Sequence, residues 1–172
     1  MNDFRSSNDA LSDPAELRRR MLKDGYIFLR RLVPSQHSWA LRLEALGVCR
    51  EAGWLTEGSL MEEGRANVSK SCVEPELAYL AVYNNLLKLE TFNRFAHSPE
   101  LTRLMERLIG EEIFPHPQKV GRIVFPQNAA NSTPTPPHQD YVHIQGATET
   151  YTCWMPLGDC PRDLGGLAIQ AG

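Results

Sequence analysis

The sequence predicts an α+β protein in which a helical first part packs on a β-sheet formed by the last third of the chain. Up to about residue 112, apolar residues recur every three or four positions between capping signals, a pattern typical of amphipathic helices. From Ile113 onward, short runs rich in β-branched and aromatic residues alternate with Pro, Asn and Gly, which favours strands. Because no repeat or linker divides the chain, we expect residues 1–172 to form a single domain.

Four helices are predicted between residues 13 and 112. Residues 1–12 are rich in Ser, Asn and Asp and are expected to be disordered. Residues 53–75 lack a clear period and are predicted to form a long loop. The helices are placed at Asp13-Pro14 to Gly25, at Ser35 to about Ala52, from about Glu76, and after Ser98-Pro99 to Gly110.

The β-prone runs give residues 113–172 the pattern of a sheet. The Gly165-Gly166 pair suits a tight hairpin between two of the flanking strands. The predicted strands are Tyr26–Leu29 in the first part, and 119–125, 141–144, 149–155 and 167–169 in the second.

Composition and charge exclude several classes of partner. The 172 residues are 42% hydrophobic and 23% charged, with a formal net charge of −3, so no basic field attracts nucleic acid or anionic lipid. No run approaches the roughly 18 apolar residues of a membrane span, and the first twenty residues lack a secretory signal, so a cytoplasmic location is expected. The four cysteines form no Cys-x-x-Cys pair and are expected to be free thiols. Nothing in the sequence indicates an oligomeric state.

The stretch TPPHQDYVHI places His138 and Asp140 two residues apart. On a strand, residues two apart point to the same face, so this imidazole and this carboxylate could meet at one metal ion. Two histidines and one carboxylate with open coordination positions suit non-haem Fe(II). A His-x-Asp triplet also arises by chance at the start of a plain surface strand, so its β-rich context carries much of the weight.

Four stretches, in order, resemble the phytanoyl-CoA dioxygenase family of Fe(II)- and 2-oxoglutarate-dependent oxygenases. The resemblance runs from about residue 20 to the last residue. The stretches are DGYIFLRRLVP at 24–34, HSPELTRLMERLIG at 97–110, PHQD at 137–140 and TCWMPLGDCPRDLGGLAI at 152–169.

This resemblance implies a double-stranded β-helix (jelly-roll) core with helices along one side. It implies iron held by His138, Asp140 and a distal histidine, with 2-oxoglutarate as co-substrate, and a small organic substrate hydroxylated with dioxygen. Trp154 matches a tryptophan beside the co-substrate in some members, and Arg122 falls near a strand position that lines the same pocket. Packing remains an alternative for Trp154, and a structural ion pair remains one for Arg122.

The family's distal histidine and its co-substrate-binding cation both follow the hairpin. We therefore expect the jelly-roll to be incomplete at the C-terminus and the 172-residue chain to be a truncated, inactive form of the enzyme. His143 lies an odd number of residues from both His138 and Asp140, so on a strand it would face the other way. His37, His97 and His116 lie at predicted helix starts or in a turn and are not expected to complete the site.

Three alternatives to this function remain open. A metal-free jelly-roll that binds a ligand or partner, or an inactive fragment of the enzyme, would share these features. A zinc hydrolase is weaker, because the sequence has no His-Glu-x-x-His helix or second clustered histidine. The sequence does not identify the substrate.

Overall fold

The computed structural model describes residues 3–126, 135–144, 147 and 149–170. Short 3-10 turns within these ranges lie at Asn8–Ala10, Met61–Glu63, Val68–Lys70 and Arg162–Leu164. The α-helices of these ranges are α1 (Pro14–Asp24), α2 (Ser35–Glu51), α3 (Leu77–Leu87), α4 (Glu90–Phe95), α5 (Pro99–Ile109) and α6 (Asp140–Ile144). The four predicted helices are confirmed as α1, α2, α3 and α5.

The ends of α1 and α5 follow the capping signals in the sequence. The Asp13 carboxylate accepts hydrogen bonds from the amides of Ala15 and Glu16, at 3.0 and 3.1 Å. Gly25 ends α1 with a φ of 75°, and Gly110 ends α5 with a φ of 96°. Both angles lie in the left-handed region that favours glycine, which explains why the two helices stop there.

An N-terminal core joins α1 and α5 to the start of the chain. Leu17 of α1 is fully buried against Ala10 and Leu108. The amide of Ser7 donates to the carbonyl of Phe28 at 2.8 Å, within an isolated bridge between residues 6 and 28. The expected disorder therefore does not hold for residues 3–12, because burial of Ala10 and these bonds fix them; residues 1–2 lie outside the described part.

A buried guanidinium strengthens the same region. Arg20 is only 5% exposed and donates to both carboxylate oxygens of Asp9, at 2.8 and 2.7 Å. Its Nε also donates to Glu16 at 2.7 Å. The hydrogen bonds from Arg20 lower the pKa of Asp9 to about 2. Those from Arg19 and, to a smaller extent, from Arg20 lower the pKa of Glu16 to about 2.

A second core lies between α2, α3 and the segment that follows α5. Its buried members come from α2, the 53–75 loop, α3 and the 119–125 run: Cys49, Trp54, Cys72, Tyr79, Val82 and Phe125. Aromatic rings meet at its centre, with the Trp54 and Phe125 centroids 5.0 Å apart in an edge-to-face arrangement. The predicted loop 53–75 thus supplies two core side chains, those of Trp54 and Cys72. Within it lie two 3-10 turns and one isolated bridge, between Leu55 and Ala66.

The predicted jelly-roll sheet is wrong for the residues that the structure describes. They contain no strand, and their only β-pairing is the two isolated bridges. High β-propensity reflects a good fit to a pleated surface made by neighbouring strands, and no described part of the chain gives these runs such a strand. Many of their apolar side chains are consequently exposed: Val120, Val124, Trp154, Leu167 and Ile169.

A helix side chain takes the place of a neighbouring strand at residue 123. The Tyr79 hydroxyl of α3 donates to the carbonyl of Ile123 at 3.2 Å and accepts from its amide at 3.3 Å. The run also lies close to α3 two residues earlier, where a Cβ on Gly121 would lie 2.4 Å from a methyl carbon of Leu86. The 119–125 run is therefore held against a helix instead of a sheet.

The predicted Gly165-Gly166 hairpin is also wrong. The Arg162–Leu164 turn comes directly before it, and the Gly165 amide closes that turn on the Arg162 carbonyl at 3.2 Å. Gly165 has a φ of 82°, a backbone angle that favours glycine, and this residue ends the turn.

None of the helices in the described ranges is long and apolar enough to cross a membrane.

Candidate metal centre

The His138 and Asp140 pair lies at the start of α6, where a strand was predicted. Two prolines, Pro136 and Pro137, precede it in a non-helical conformation. Asp140 occupies the first turn of α6, where the partial positive charge of a helix start favours a carboxylate. Among the residues that the structure describes, no strand pairs with 141–144.

The two side chains come together although they are not on a strand. His138 Nε2 lies 3.2 Å from Asp140 Oδ1, and each side chain is about two-fifths exposed. The pair therefore lies at an accessible surface, with one nitrogen and one oxygen directed at each other.

The other ring nitrogen of His138 is also engaged. Nδ1 lies 2.8 Å from the carbonyl oxygen of Pro136. A carbonyl oxygen only accepts hydrogen bonds, so this contact requires the proton on Nδ1. In the neutral ring Nε2 then presents its lone pair towards Asp140.

The second carboxylate oxygen of Asp140 has a different partner. Thr152 Oγ1 donates to Asp140 Oδ2 at 2.7 Å, so the two oxygens of one carboxylate are divided between His138 and Thr152. Thr152 lies in the predicted strand 149–155, which the structure shows as an irregular segment. This hydrogen bond joins that segment to α6.

His143 lies close to His138, contrary to the expectation that it would face away. The two ring centroids are 5.7 Å apart in an edge-to-face arrangement. The expectation is wrong because the alternation of a strand does not apply here: residues 140–144 form a helix, in which Asp140 and His143 lie three positions apart on one face.

Arg122 binds two partners outside the pair itself. Its guanidinium lies 3.2 Å from a Glu74 carboxylate oxygen and donates to Thr135 Oγ1 at 2.7 Å. Thr135 comes three residues before His138. Arg122 thus connects the 53–75 loop to the segment that carries the histidine.

Trp154 follows Thr152 by two residues and is half exposed. It therefore lies near the candidate centre along the chain, with an indole available to a ligand.

The other histidines lie apart from this pair. His37 lies in the first turn of α2, His97 between α4 and α5, and His116 in a bend where its Nδ1 accepts from the Gln118 amide. Across the described ranges, no group of three or more His, Cys, Asp or Glu side chains is arranged to hold a metal ion.

Two cavities lie near the segment 149–152. A small one, of about 30 Å³, is lined by Asp140, Tyr141, Ile144, Thr150 and Thr152 and adjoins the candidate centre. A larger one, of about 200 Å³, lies between α1, α5 and residues 149 and 151, and it contains none of the predicted site residues. The small cavity is the one that belongs to the candidate centre, because the Asp140 carboxylate lines it.

The cysteines take no part in the centre. All four are free thiols, as predicted; Cys49 and Cys72 are buried and Cys153 is exposed. Burial raises the pKa of the Cys49 thiol to about 11, which keeps it protonated and unreactive at neutral pH.

Sequence reasoning missed three polar neighbours of the candidate centre: Thr152, Thr135 and Glu74. Their hydrogen bonds join residues 12, 13 and 48 positions apart along the chain. A lone threonine or glutamate carries no pattern that would predict such a contact. Only the closeness of Thr152 to Trp154 in the family-like stretch pointed to this part of the chain.

The chain matches a known family. The sequence model described as phytanoyl-CoA dioxygenase (PhyH) matches residues 21–172, which include α1 from Met21, His138, Asp140 and Trp154. No solved structure matches the chain.

Proposed function

Because the chain belongs to the phytanoyl-CoA dioxygenase family, we propose that the full-length protein is a non-haem Fe(II)- and 2-oxoglutarate-dependent dioxygenase of the hydroxylase type. Its substrates are then 2-oxoglutarate, dioxygen and a small organic molecule, and its location is cytoplasmic. The observation that carries the proposal is the His138–Asp140 pair at 3.2 Å within the matched region.

The donor atoms of this pair fit a metal ion. Two ligand atoms that are each about 2.1 Å from one metal at a right angle lie about 3 Å apart, close to the separation of Nε2 and Oδ1. With the Nδ1 proton directed at Pro136, the contact between Nε2 and Oδ1 is satisfied either by a second proton on Nε2 or by a cation bound to both atoms. We assign the metal to these two atoms because an imidazole nitrogen and a carboxylate oxygen at this separation are ligand types that suit Fe(II).

The Pro136 contact supports the same assignment. Histidines that bind metals usually donate their other N–H to a carbonyl or carboxylate, which fixes the ring and its tautomer. The 2.8 Å contact between Nδ1 and the Pro136 carbonyl has this form. His138 is thereby oriented before any metal arrives.

Fe(II), when bound, supplies the site at which dioxygen is activated and 2-oxoglutarate is held. The residues of this chain bind and orient around it. We assign His138 and Asp140 as ligands, and Arg122 and Trp154 as neighbours of the co-substrate. Arg122 is suited to a carboxylate because its planar guanidinium can donate two parallel hydrogen bonds, and it already contacts Thr135 near His138.

An assay of succinate release tests the proposal. The full-length protein, and not the 172-residue chain that is expected above to be inactive by itself, is incubated with Fe(II), 2-oxoglutarate and dioxygen, alone and with a panel of small organic acceptors. We expect metal-dependent succinate release, and its loss in His138→Ala and in Asp140→Ala. The control is His116→Ala, which removes an exposed histidine away from the pair and should retain the native rate. Undiminished turnover in either ligand variant would contradict the assignment.

A further inference from the structure

We propose that Thr152 is a positioning residue that holds the Asp140 carboxylate in the orientation needed to bind the metal. This inference rests on the proposed function. Thr152 lies two positions before Trp154 and has no role in the function proposed above.

The geometry separates the tasks of the two carboxylate oxygens. Oδ1 faces His138 Nε2 at 3.2 Å, whereas Oδ2 accepts the Thr152 hydroxyl hydrogen at 2.7 Å. A carboxylate that binds a metal through one oxygen leaves the other in need of a donor, and ligating carboxylates are in turn hydrogen-bonded. Thr152 supplies that donor to the oxygen on the far side from the histidine.

The bond matters because Asp140 is otherwise free to turn. Its side chain is about two-fifths exposed and lies on a helix of five residues, so little packing fixes the carboxylate. Without the hydroxyl, rotation about the Cβ–Cγ bond would exchange the two oxygens and break their alignment with Nε2. The histidine is held separately by Pro136, so each ligand has its own support.

The same cavity provides a matched control. Thr150 and Thr152 both line the small cavity beside Asp140. However, Thr150 Oγ1 donates to the carbonyl of Ala147 at 2.7 Å, whereas Thr152 Oγ1 donates to the carboxylate. Replacing either threonine with valine keeps the shape and removes a hydroxyl, but only one change affects the ligand.

Titration with Mn(II), followed by electron paramagnetic resonance of the free ion, tests the inference without any turnover. Mn(II) prefers the same nitrogen and oxygen donors and does not require oxygen-free handling. We expect Thr152→Val to weaken Mn(II) binding about tenfold, the lower end of the effect of losing an outer-shell partner. Thr152→Ser restores the hydroxyl and should bind as the native protein does, as should Thr150→Val.

The outcomes separate the inference from the proposed function. Binding that is lost in Asp140→Asn but unchanged in Thr152→Val would overturn the role of Thr152 and leave the metal site standing. Equal weakening in both valine variants would also overturn it, since the cavity and not the bond would then be responsible. A native protein that does not bind Mn(II) would overturn the proposed function, and this inference with it.

Discussion

The Tyr79 hydroxyl lies within hydrogen-bond distance of both the amide nitrogen and the carbonyl oxygen of Ile123. One side-chain group thus satisfies two backbone groups of a run that was predicted to be a strand. Backbone groups near a core must find partners, and here the partner is a residue 44 positions earlier in the chain. The contact fixes the 119–125 run on α3.

Replacing Tyr79 with phenylalanine is expected to lower the free energy of unfolding by about 1–3 kcal/mol, because two partly buried backbone groups lose their partner. The ring and its contacts with Trp54 would remain. Urea unfolding followed by circular dichroism measures the change. Tyr151→Phe, at an exposed tyrosine, should change the value by less than about 0.5 kcal/mol. A loss of the same size in both variants would contradict the role assigned to the Tyr79 hydroxyl.

Acid should destabilise the N-terminal core. The pKa values of Asp9 and Glu16 are both lowered to about 2 in the folded protein, from ordinary values of 3.8 and 4.5. A carboxyl group whose folded pKa is lowered contributes stability above its unfolded pKa and loses it as the pH falls towards the folded pKa. This contribution should therefore be complete above about pH 5 and disappear between about pH 4.5 and pH 2.

Urea unfolding across that range, with Arg20→Met as the comparison, tests the ion pairs. The variant lacks the guanidinium that lowers the pKa of Asp9, so its stability should fall less steeply as the pH drops. Part of the Glu16 effect should persist, because Arg19 also donates to that carboxylate. Parallel curves for the two proteins would show that Arg20 does not set the acid response.

Two glycines are expected to respond in opposite ways to alanine. Gly47 lies within α2 with open space where a Cβ would be placed, so Gly47→Ala should stabilise the protein by about 0.5–1 kcal/mol. Gly110 has a φ of 96°, so Gly110→Ala should destabilise it by about 1–2 kcal/mol. Thermal unfolding midpoints should therefore move up for the first and down for the second. A shift in the same direction would contradict the backbone explanation.

Arg122 and Thr135 can be separated by kinetics. If the Arg122 guanidinium contacts 2-oxoglutarate in the pocket that it is proposed to line, Arg122→Leu should raise the KM for 2-oxoglutarate about tenfold, because a charge-assisted hydrogen bond is lost. Thr135→Val removes only the internal contact and should leave that KM unchanged. An equal rise in both variants would instead mean that Arg122 acts by holding the segment before His138.

Local signals predicted the helices well. Asp13, Gly25 and Gly110 act through bonds and backbone angles within a few residues, which a single sequence displays directly. The prediction of a sheet was wrong because strands depend on distant parts of the chain. A strand depends on partners elsewhere in the chain, and runs such as 119–125 have the propensity but find a helix side chain instead.

In the candidate centre, too, local features could be predicted and contacts between distant residues could not. His138 and Asp140 could be singled out because their types and spacing are meaningful on their own, and the structure brings them within 3.2 Å even though the strand is absent. Their surroundings could not be predicted. Thr152 donates to Asp140, and His143 lies near His138, around a segment that is helical where a strand was predicted.

The attachment of residues 3–12 has a consequence for any attempt to shorten the protein. The family match begins at residue 21, so trimming the chain close to that point would look harmless. Removing the first twelve residues would nevertheless take away Ala10 from above Leu17 and leave Arg20 without one of its two carboxylate partners. A purification tag should therefore be added before residue 1 and should not replace residues 1–12. A relative without these residues would need another carboxylate to pair with the arginine at position 20.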